Sequence, residues 1–171
     1  MDWVLLGLLF LHVFGAILAF GPGFSFMILG PMAGAEPQHA PFAIRFQSRV
    51  TKRMIVPLAL FQGITGLLLV WYGKFDILTT PWLLIAVVLY LVALVVSIGI
   101  GIPTLNRLVA LTSAPPPQPP AGAAPGPAAP RMGPPPEVAK LVRRGRLVGI
   151  VQSILIVVIV FLMVTKPAVG S

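Results

Sequence analysis

Four long stretches without charge dominate the pattern of hydrophobic and polar residues along the chain. They run from about Trp3 to Ala35, Met54 to Gly73, Trp82 to Pro103 and Leu147 to Thr165. About 20 apolar residues in a helix cross a hydrocarbon core of about 30 Å, so each stretch can span a membrane. The pattern predicts an all-α polytopic membrane protein, a four-transmembrane-helix bundle with spans at about 3–30, 54–73, 82–103 and 147–165.

The amino-acid composition supports a membrane location. Of the 171 residues, 57% are hydrophobic and 9% are charged, whereas soluble domains carry about 25% charged residues. The length fits a single membrane domain over residues 1–171. There is no cysteine, which excludes disulfides, thiolate metal sites and thiol catalysis. The first stretch is too long for a signal peptide and lacks its basic start, so we expect a retained span.

Positive charge is concentrated in the first and third loops, which hold four and six of the 12 lysines and arginines. Cytoplasmic loops are enriched in these residues, so we expect loops 1 and 3 in the cytoplasm and both termini outside, in the cell inner (plasma) membrane. The net charge of +8 is thus attributed to topology, and no nucleic-acid partner is expected. Trp3, Trp71, Tyr72 and Trp82 fall at the outer ends of their spans, where interfacial aromatic residues belong.

The first stretch is longer than one crossing, and Gly21-Pro22-Gly23 interrupts it. Proline removes a backbone donor, so we predict a kink or break there. In the loop that follows, arginines recur every four residues, on one face of an interfacial helix. We expect headgroup contacts with membrane lipids from these arginines and from those just before the fourth span. The alternative is an ordinary basic flank without a specific partner. The residues are Arg45, Arg49, Arg53, Arg143, Arg144 and Arg146.

Residues 114–136 form a segment of proline, alanine and glycine that holds eleven of the 19 prolines. Such a segment has little apolar surface to bury and no capacity for a regular helix. We therefore predict a disordered, semi-stiff cytoplasmic linker between the third and fourth helices. Helix resumes near Glu137, because proline and an acidic residue both suit a first helical turn.

Few polar side chains lie within the spans. An unsatisfied polar group in hydrocarbon is costly, so each is expected to face the interior of the bundle. Counting 1.5 Å per residue places His12 and Tyr90 about 12–14 Å from the outer boundary, and Gln152 and Ser97 about 8–9 Å from the inner one. The predicted polar packing residues are His12, Gln62, Thr65, Tyr90, Ser97 and Gln152.

His12 is the candidate functional residue, because no other histidine, acid or base lies within a span. We interpret it first as a neutral packing residue. The alternative is a ligand to haem, quinone or metal, including one shared with another chain. His39 lies in the cytoplasmic loop, across the membrane, and the scattered methionines make no copper-binding cluster. No resident cofactor, metal site or catalytic residue is therefore predicted.

Four segments carry a resemblance to a known group of proteins. They are residues 11–16 (LHVFGA), 58–66 (LALFQGITG), 81–84 (PWLL) and 161–167 (FLMVTKP). The chain resembles a bacterial family of predicted integral membrane proteins that carries a domain-of-unknown-function name. It is also distantly similar to the CopD-type membrane domain of copper-resistance proteins. The resemblance implies a four-helix bundle and specifies no reaction.

These features favour a non-enzymatic integral membrane protein that acts as an accessory or assembly component of a membrane complex. Its expected partners are membrane lipids and other membrane subunits. One alternative is an electron-transfer subunit that binds haem, quinone or metal through His12. Another is a small-solute or ion carrier, against which stand the lack of carboxylates in the spans and of an internal repeat.

Overall fold

The computed structural model describes residues 2–113 and 133–166, which form four long helices and no strand. All four are long and apolar enough to cross a membrane, which confirms the predicted all-α, four-transmembrane-helix class. Most of the predicted linker, residues 114–132, lies outside the described residues, and its last residue, Pro136, already begins a helix. The helices are α1 (Trp3–Ala35), α2 (Pro37–Tyr72), α3 (Pro81–Ser113) and α4 (Pro136–Thr165).

Helices α2 and α3 each contain one π-helical turn. In α2 this turn is Thr51–Ile55, between α-helical parts at Ala40–Val50 and Val56–Tyr72. In α3 it is Ser97–Gly101, between Pro81–Val96 and Ile102–Ser113. Each π turn ends two residues before a proline, Pro57 or Pro103. Proline lacks an N–H and its ring crowds the carbonyl four residues earlier, so a wider turn relieves that contact while the helix continues.

Helix α1 is continuous through Gly21-Pro22-Gly23, so the interruption predicted there is not a break. Pro22 and Pro31 both lie inside the helix. The Ser25 hydroxyl donates to the Pro22 carbonyl oxygen at 2.7 Å. A helix in lipid keeps its backbone hydrogen bonds because no water replaces them, and neighbouring hydroxyls help to accommodate proline.

The helices pack as antiparallel neighbours through small residues. Helix α1 packs mainly on the second part of α2, and α4 packs on α3. The first part of α2 packs on the last part of α3. The most buried apolar positions in the lipid-spanning parts include Ala19, Ala59 and Ala86, with at most 8% exposure. Lipid tails are as apolar as leucine, so close contact at small residues, rather than hydrophobic burial, holds such helices together.

The two ends of the bundle differ in chemistry. We call the end with Trp3, Tyr72 and Thr165 the aromatic end. There the Asp2 carboxylate caps α1 and accepts a hydrogen bond from the Tyr72 hydroxyl at 3.2 Å. The opposite end, which includes Ala35 and Ser113, is the basic end. There Arg107 of α3 and Glu137 of α4 form an exposed ion pair at 2.7 Å.

The helices continue beyond the predicted spans, chiefly at the basic end. Helix α2 begins at Pro37 and includes the helix predicted over the arginines of the first loop, and α3 continues to Ser113 rather than ending near residue 103. The extra segments carry basic residues outwards and bury Ser48, Leu105 and Leu108 against each other and their neighbours. Mutual packing therefore keeps these segments helical past the point where the apolar sequence stops.

Candidate functional site

His12 lies against α2 in the half of the bundle near the aromatic end. Its Nδ1 is 2.9 Å from the Thr65 hydroxyl oxygen, and the ring is half-buried. A Cβ placed on Gly66 would lie 3.2 Å from the His12 Cε1. Thr65 is 3% exposed, so the hydroxyl is inside the helix pair. The glycine lets the imidazole pack directly on the α2 backbone.

The Thr65 hydroxyl has two ways to use its hydrogen. Its oxygen is 3.1 Å from the carbonyl oxygens of both Phe61 and Gln62, which are only acceptors, and 2.9 Å from Nδ1 of His12. A hydroxyl has a single hydrogen. When that hydrogen is donated to a carbonyl, Nδ1 of His12 donates to Thr65; when it is donated to Nδ1, the ring hydrogen is on Nε2. In both arrangements Nε2 makes no hydrogen bond to any described residue.

Gln62 lies one turn further along the same interface. Its side chain is 7% exposed, and Oε1 is buried without a conventional hydrogen-bond donor among the described residues. A Cβ placed on Gly15 would lie 2.9 Å from this oxygen and 3.2 Å from the Phe61 ring. The Cα–H that Gly15 has in that direction thus points at Oε1, which is the geometry of a weak C–H···O contact.

Tyr90 joins α3 to α2. Its hydroxyl donates to the Ala59 carbonyl oxygen at 2.8 Å, and the ring end packs directly over Gly63. The hydroxyl therefore contacts the α2 backbone rather than His12. His12 from α1 and Tyr90 from α3 both contact α2, which carries Gln62 and Thr65. Of these four residues, only His12 and Thr65 are joined by a hydrogen bond between side chains.

No hydrogen bond joins Gln152 to Ser97 among the described residues; Gln152 bonds to the α3 backbone instead. The Gln152 amide nitrogen donates to the Ala93 carbonyl oxygen at 3.0 Å, one turn from Ser97, and its Oε1 is buried without a partner among the described residues. Ser97 begins the π turn of α3 and is half-buried. The roles predicted for both residues stay predictions.

The predicted headgroup-contacting arginines are all exposed near the basic end. Three of them lie on α2 and three on α4; they are Arg45, Arg49, Arg53, Arg143, Arg144 and Arg146. Sequence reasoning did not pair Arg107 with Glu137 or Asp2 with Tyr72, because the residues of each pair are far apart in the chain. The available signal was that Asp2, Tyr72 and Glu137 lie at the ends of their helices.

The described surroundings of His12 leave one ring nitrogen, Nε2, without a hydrogen bond. Within residues 2–113 and 133–166, no group of three or more histidine, cysteine or acidic residues is arranged to hold a metal ion. His39 lies at the basic end, where its Nε2 is 3.8 Å from Glu36. The chemistry available to His12 is therefore that of a single imidazole with Nδ1 on Thr65 and Nε2 unbonded among the described residues.

Replacing His12 with leucine is expected to change the free energy of unfolding by less than about 1 kcal/mol, because interhelical hydrogen bonds in membranes average about 0.6 kcal/mol. Thr65 keeps its backbone acceptors, so no donor is left unsatisfied. Thermal unfolding in detergent of His12→Leu, Thr65→Val and the double variant gives the coupling energy of the pair. A loss above about 2 kcal/mol for His12→Leu would contradict a pairwise packing contact.

Comparison with known proteins identifies the family. A family model described as "Predicted integral membrane protein (DUF2269)" matches residues 6–114. The match covers α1, α2 and α3, including His12, Gln62, Thr65 and Tyr90. Among curated proteins and among solved structures, no match is found. The matched region is more than half of the chain, and the protein belongs to the DUF2269 family of predicted integral membrane proteins.

Proposed function

We propose that this integral membrane protein is a non-enzymatic accessory component of a membrane complex, and that His12 contacts a neighbouring component within the membrane. One observation carries the proposal: Nε2 of His12 makes no hydrogen bond to any described residue. Nine residues, or about 14 Å, separate His12 from Trp3 at the aromatic end. A polar ring nitrogen at that depth has no water to satisfy it and is costly unless another group supplies a hydrogen-bond partner.

The local surface supports a lateral partner. His12 is only half-buried, and Leu9, one turn away on a neighbouring part of α1, is 48% exposed. A helix of another subunit that lies along this side of α1 and carries a hydroxyl or amide group would satisfy Nε2.

We place the protein in the inner (plasma) membrane with the basic end in the cytoplasm and both termini outside. The support is the positive-inside bias, since loops 1 and 3 hold ten of the 12 lysines and arginines. The described ends of those loops lie at one end of the bundle because consecutive helices are antiparallel. The aromatic residues at the opposite end fit the outer interface.

The test is photo-crosslinking in native cells from position 9, with position 14 as the matched control. Leu9 and Phe14 are both 48% exposed, but Phe14 lies on the other side of α1 from His12. We expect a protein adduct from position 9 that is lost when His12 is changed to leucine, and only lipid adducts from position 14. Equal adducts from both positions, or a position-9 adduct that persists in His12→Leu, would refute the proposal.

A second candidate is an electron-transfer subunit in which His12 binds haem, quinone or metal. The same observation favours it, because metal-bound histidines typically donate one ring N–H and coordinate through the other nitrogen. An absorption spectrum of protein purified from its native host separates the two. A haem Soret band that disappears in His12→Ala supports this candidate, whereas loss of the position-9 adduct without any chromophore supports the accessory role.

A further inference from the structure

The first part of α2 exposes two phenylalanines and a row of arginines on one face. At 100° per residue, Phe42, Phe46, Arg49 and Arg53 point in nearly the same direction, with Arg45 at the edge. We call these five residues the Phe–Arg face. Phe42 is 64% and Phe46 45% exposed, and their rings stack with centroids 6.3 Å apart. The opposite side of the helix is the one that packs, with Ser48 and Thr51 buried.

The order of these residues along α2 separates the phenyl rings from the lipid. Arg53 is nineteen residues from Tyr72, or about 28 Å, which is close to the thickness of the hydrocarbon core. Phe42 is eleven residues further from Tyr72, or about 16 Å. A headgroup layer is only about 5–7 Å thick on each side. Arg53 and Arg49 thus lie at the membrane surface, and the exposed rings, with Arg45 between them in the chain, lie beyond it.

Helix α1 extends this apolar surface instead of covering it. His12 faces Thr65 and Gly15 faces Gln62, so the antiparallel register places Phe24 to Met32 alongside Arg53 to Arg45. Met32 is 56% exposed and lines a shallow groove together with Leu29 and Phe42. Contiguous exposed apolar surface outside the membrane is typical of a protein–protein contact.

We propose that the Phe–Arg face binds an acidic amphipathic helix of a separate partner protein. The phenylalanines would receive apolar residues spaced four apart. Arg49 and Arg53 would pair with carboxylates about two turns further along that helix, and Arg45 with a carboxylate beside the apolar residues. This contact lies at the other end of the bundle from His12 and does not depend on the function proposed for that residue.

Charge complementarity decides between this occupant and the others available. Arg45, Arg49 and Arg53 make no ion pair with any described residue. The whole chain has four acidic residues, and the two at the basic end, Glu36 and Glu137, already contact His39 and Arg107. Residues 114–132 contain no acid at all. Neither a second copy nor that segment supplies free carboxylates to complement these arginines, whereas an acidic segment of a different protein does.

The experiment places a photo-crosslinking amino acid at position 42 of the full-length protein in its native cells, and maps the adduct by mass spectrometry. We expect one protein adduct whose attachment site lies in an acidic amphipathic segment. Its yield should fall about tenfold in Arg45→Glu/Arg49→Glu, equivalent to about 1.4 kcal/mol. The matched control is Arg143→Glu/Arg144→Glu, which reverses two exposed arginines at the same end on α4 and should leave the yield unchanged.

Any other adduct overturns the proposal. Attachment to lipid would place the rings in the membrane. Attachment to a second copy or to residues 114–132 would show that this protein itself covers the Phe–Arg face. Absence of an adduct, a partner segment without acidic residues, or equal loss in the α4 control would also contradict it. Arg45→Gln/Arg49→Gln, a neutral pair, provides the same comparison if the glutamate variant does not accumulate in the membrane.

Discussion

Gly15→Leu is expected to lower the free energy of unfolding by about 2–3 kcal/mol, the upper range for overpacking an interface. A Cβ at this position would lie 2.9 Å from Gln62 Oε1 and 3.2 Å from the Phe61 ring, and a leucine adds three further carbons. The substitution also removes the Cα–H that points at the buried oxygen. Helices α1 and α2 would have to separate, and the His12–Thr65 hydrogen bond one turn away would lengthen with them.

The matched control for this substitution is Gly7→Leu, two turns away on the same helix. No atom of the residues that the structure describes lies within 4 Å of a Cβ at Gly7, so we expect a change within about 0.5 kcal/mol. Denaturant unfolding in mild detergent measures both values. In a Gln62→Ala background the cost of Gly15→Leu should fall by roughly half, because one of the two obstructing groups is gone. Equal costs at positions 7 and 15 would show that α1 and α2 do not meet at Gly15.

A reporter that is active only outside the cytoplasm should be inactive when inserted after Pro120 and fully active when fused after Ser171. The expected difference is all-or-none, because lysines and arginines near membrane spans resist translocation and the first and third loops hold ten of the 12. Measurement of alkaline phosphatase activity, with expression levels checked by immunoblotting, gives the result.

An insertion after Asp76 is the internal control for topology. Asp76 lies in the short connection between α2 and α3, at the aromatic end, and the same reporter should be active there. A fluorescent protein that folds only in the cytoplasm should give the opposite pattern at all three positions. Phosphatase activity after Pro120 would invert the orientation proposed here and would place the Phe–Arg face outside the cell.

The number of helices and their two chemical ends followed from the sequence, because both depend on local properties. A stretch without charge such as Trp82 to Pro103 is long enough to span by itself, whichever helix it packs against. Tryptophan and arginine likewise mark interfaces without reference to neighbouring helices. These signals identified α1 to α4 and predicted where each crosses the membrane.

Which side of each helix packs could not be predicted, because apolar residues face both lipid and protein. Leu83 is 5% exposed and its neighbour Leu84 is 37% exposed, although the two residues are the same type. Among the glycines of α1, a Cβ at Gly15 would meet Gln62 and Phe61, whereas one at Gly7 would meet no described atom within 4 Å. The pairing of His12 with Thr65, rather than with Tyr90 or Gln62, depends on this rotation.

A count of depth along each span gives the level of a residue in the membrane but not its hydrogen-bond partner. It treats each span as a straight helix with 1.5 Å per residue, and it placed Gln152 at the level of Ser97. The structure brings the Gln152 amide to Ala93, one turn away, where a carbonyl oxygen is available at 3.0 Å. The π turns that alter the register of α2 and α3 have no signature in hydrophobicity, although Pro57 and Pro103 mark their positions.

The π turn in α2 has a consequence for how such a chain tolerates a change of length. A π turn accommodates one residue more than an α turn while the helix stays continuous. Loss of one residue within Thr51–Ile55 would convert the π turn to an α turn and leave the preceding part of α2 facing nearly the same way, whereas a residue added as ordinary α-helix would rotate that part by about 100°. The π turn would thus absorb a deletion, keeping the direction in which Phe42 and Phe46 point while the part that crosses the lipid stays the same.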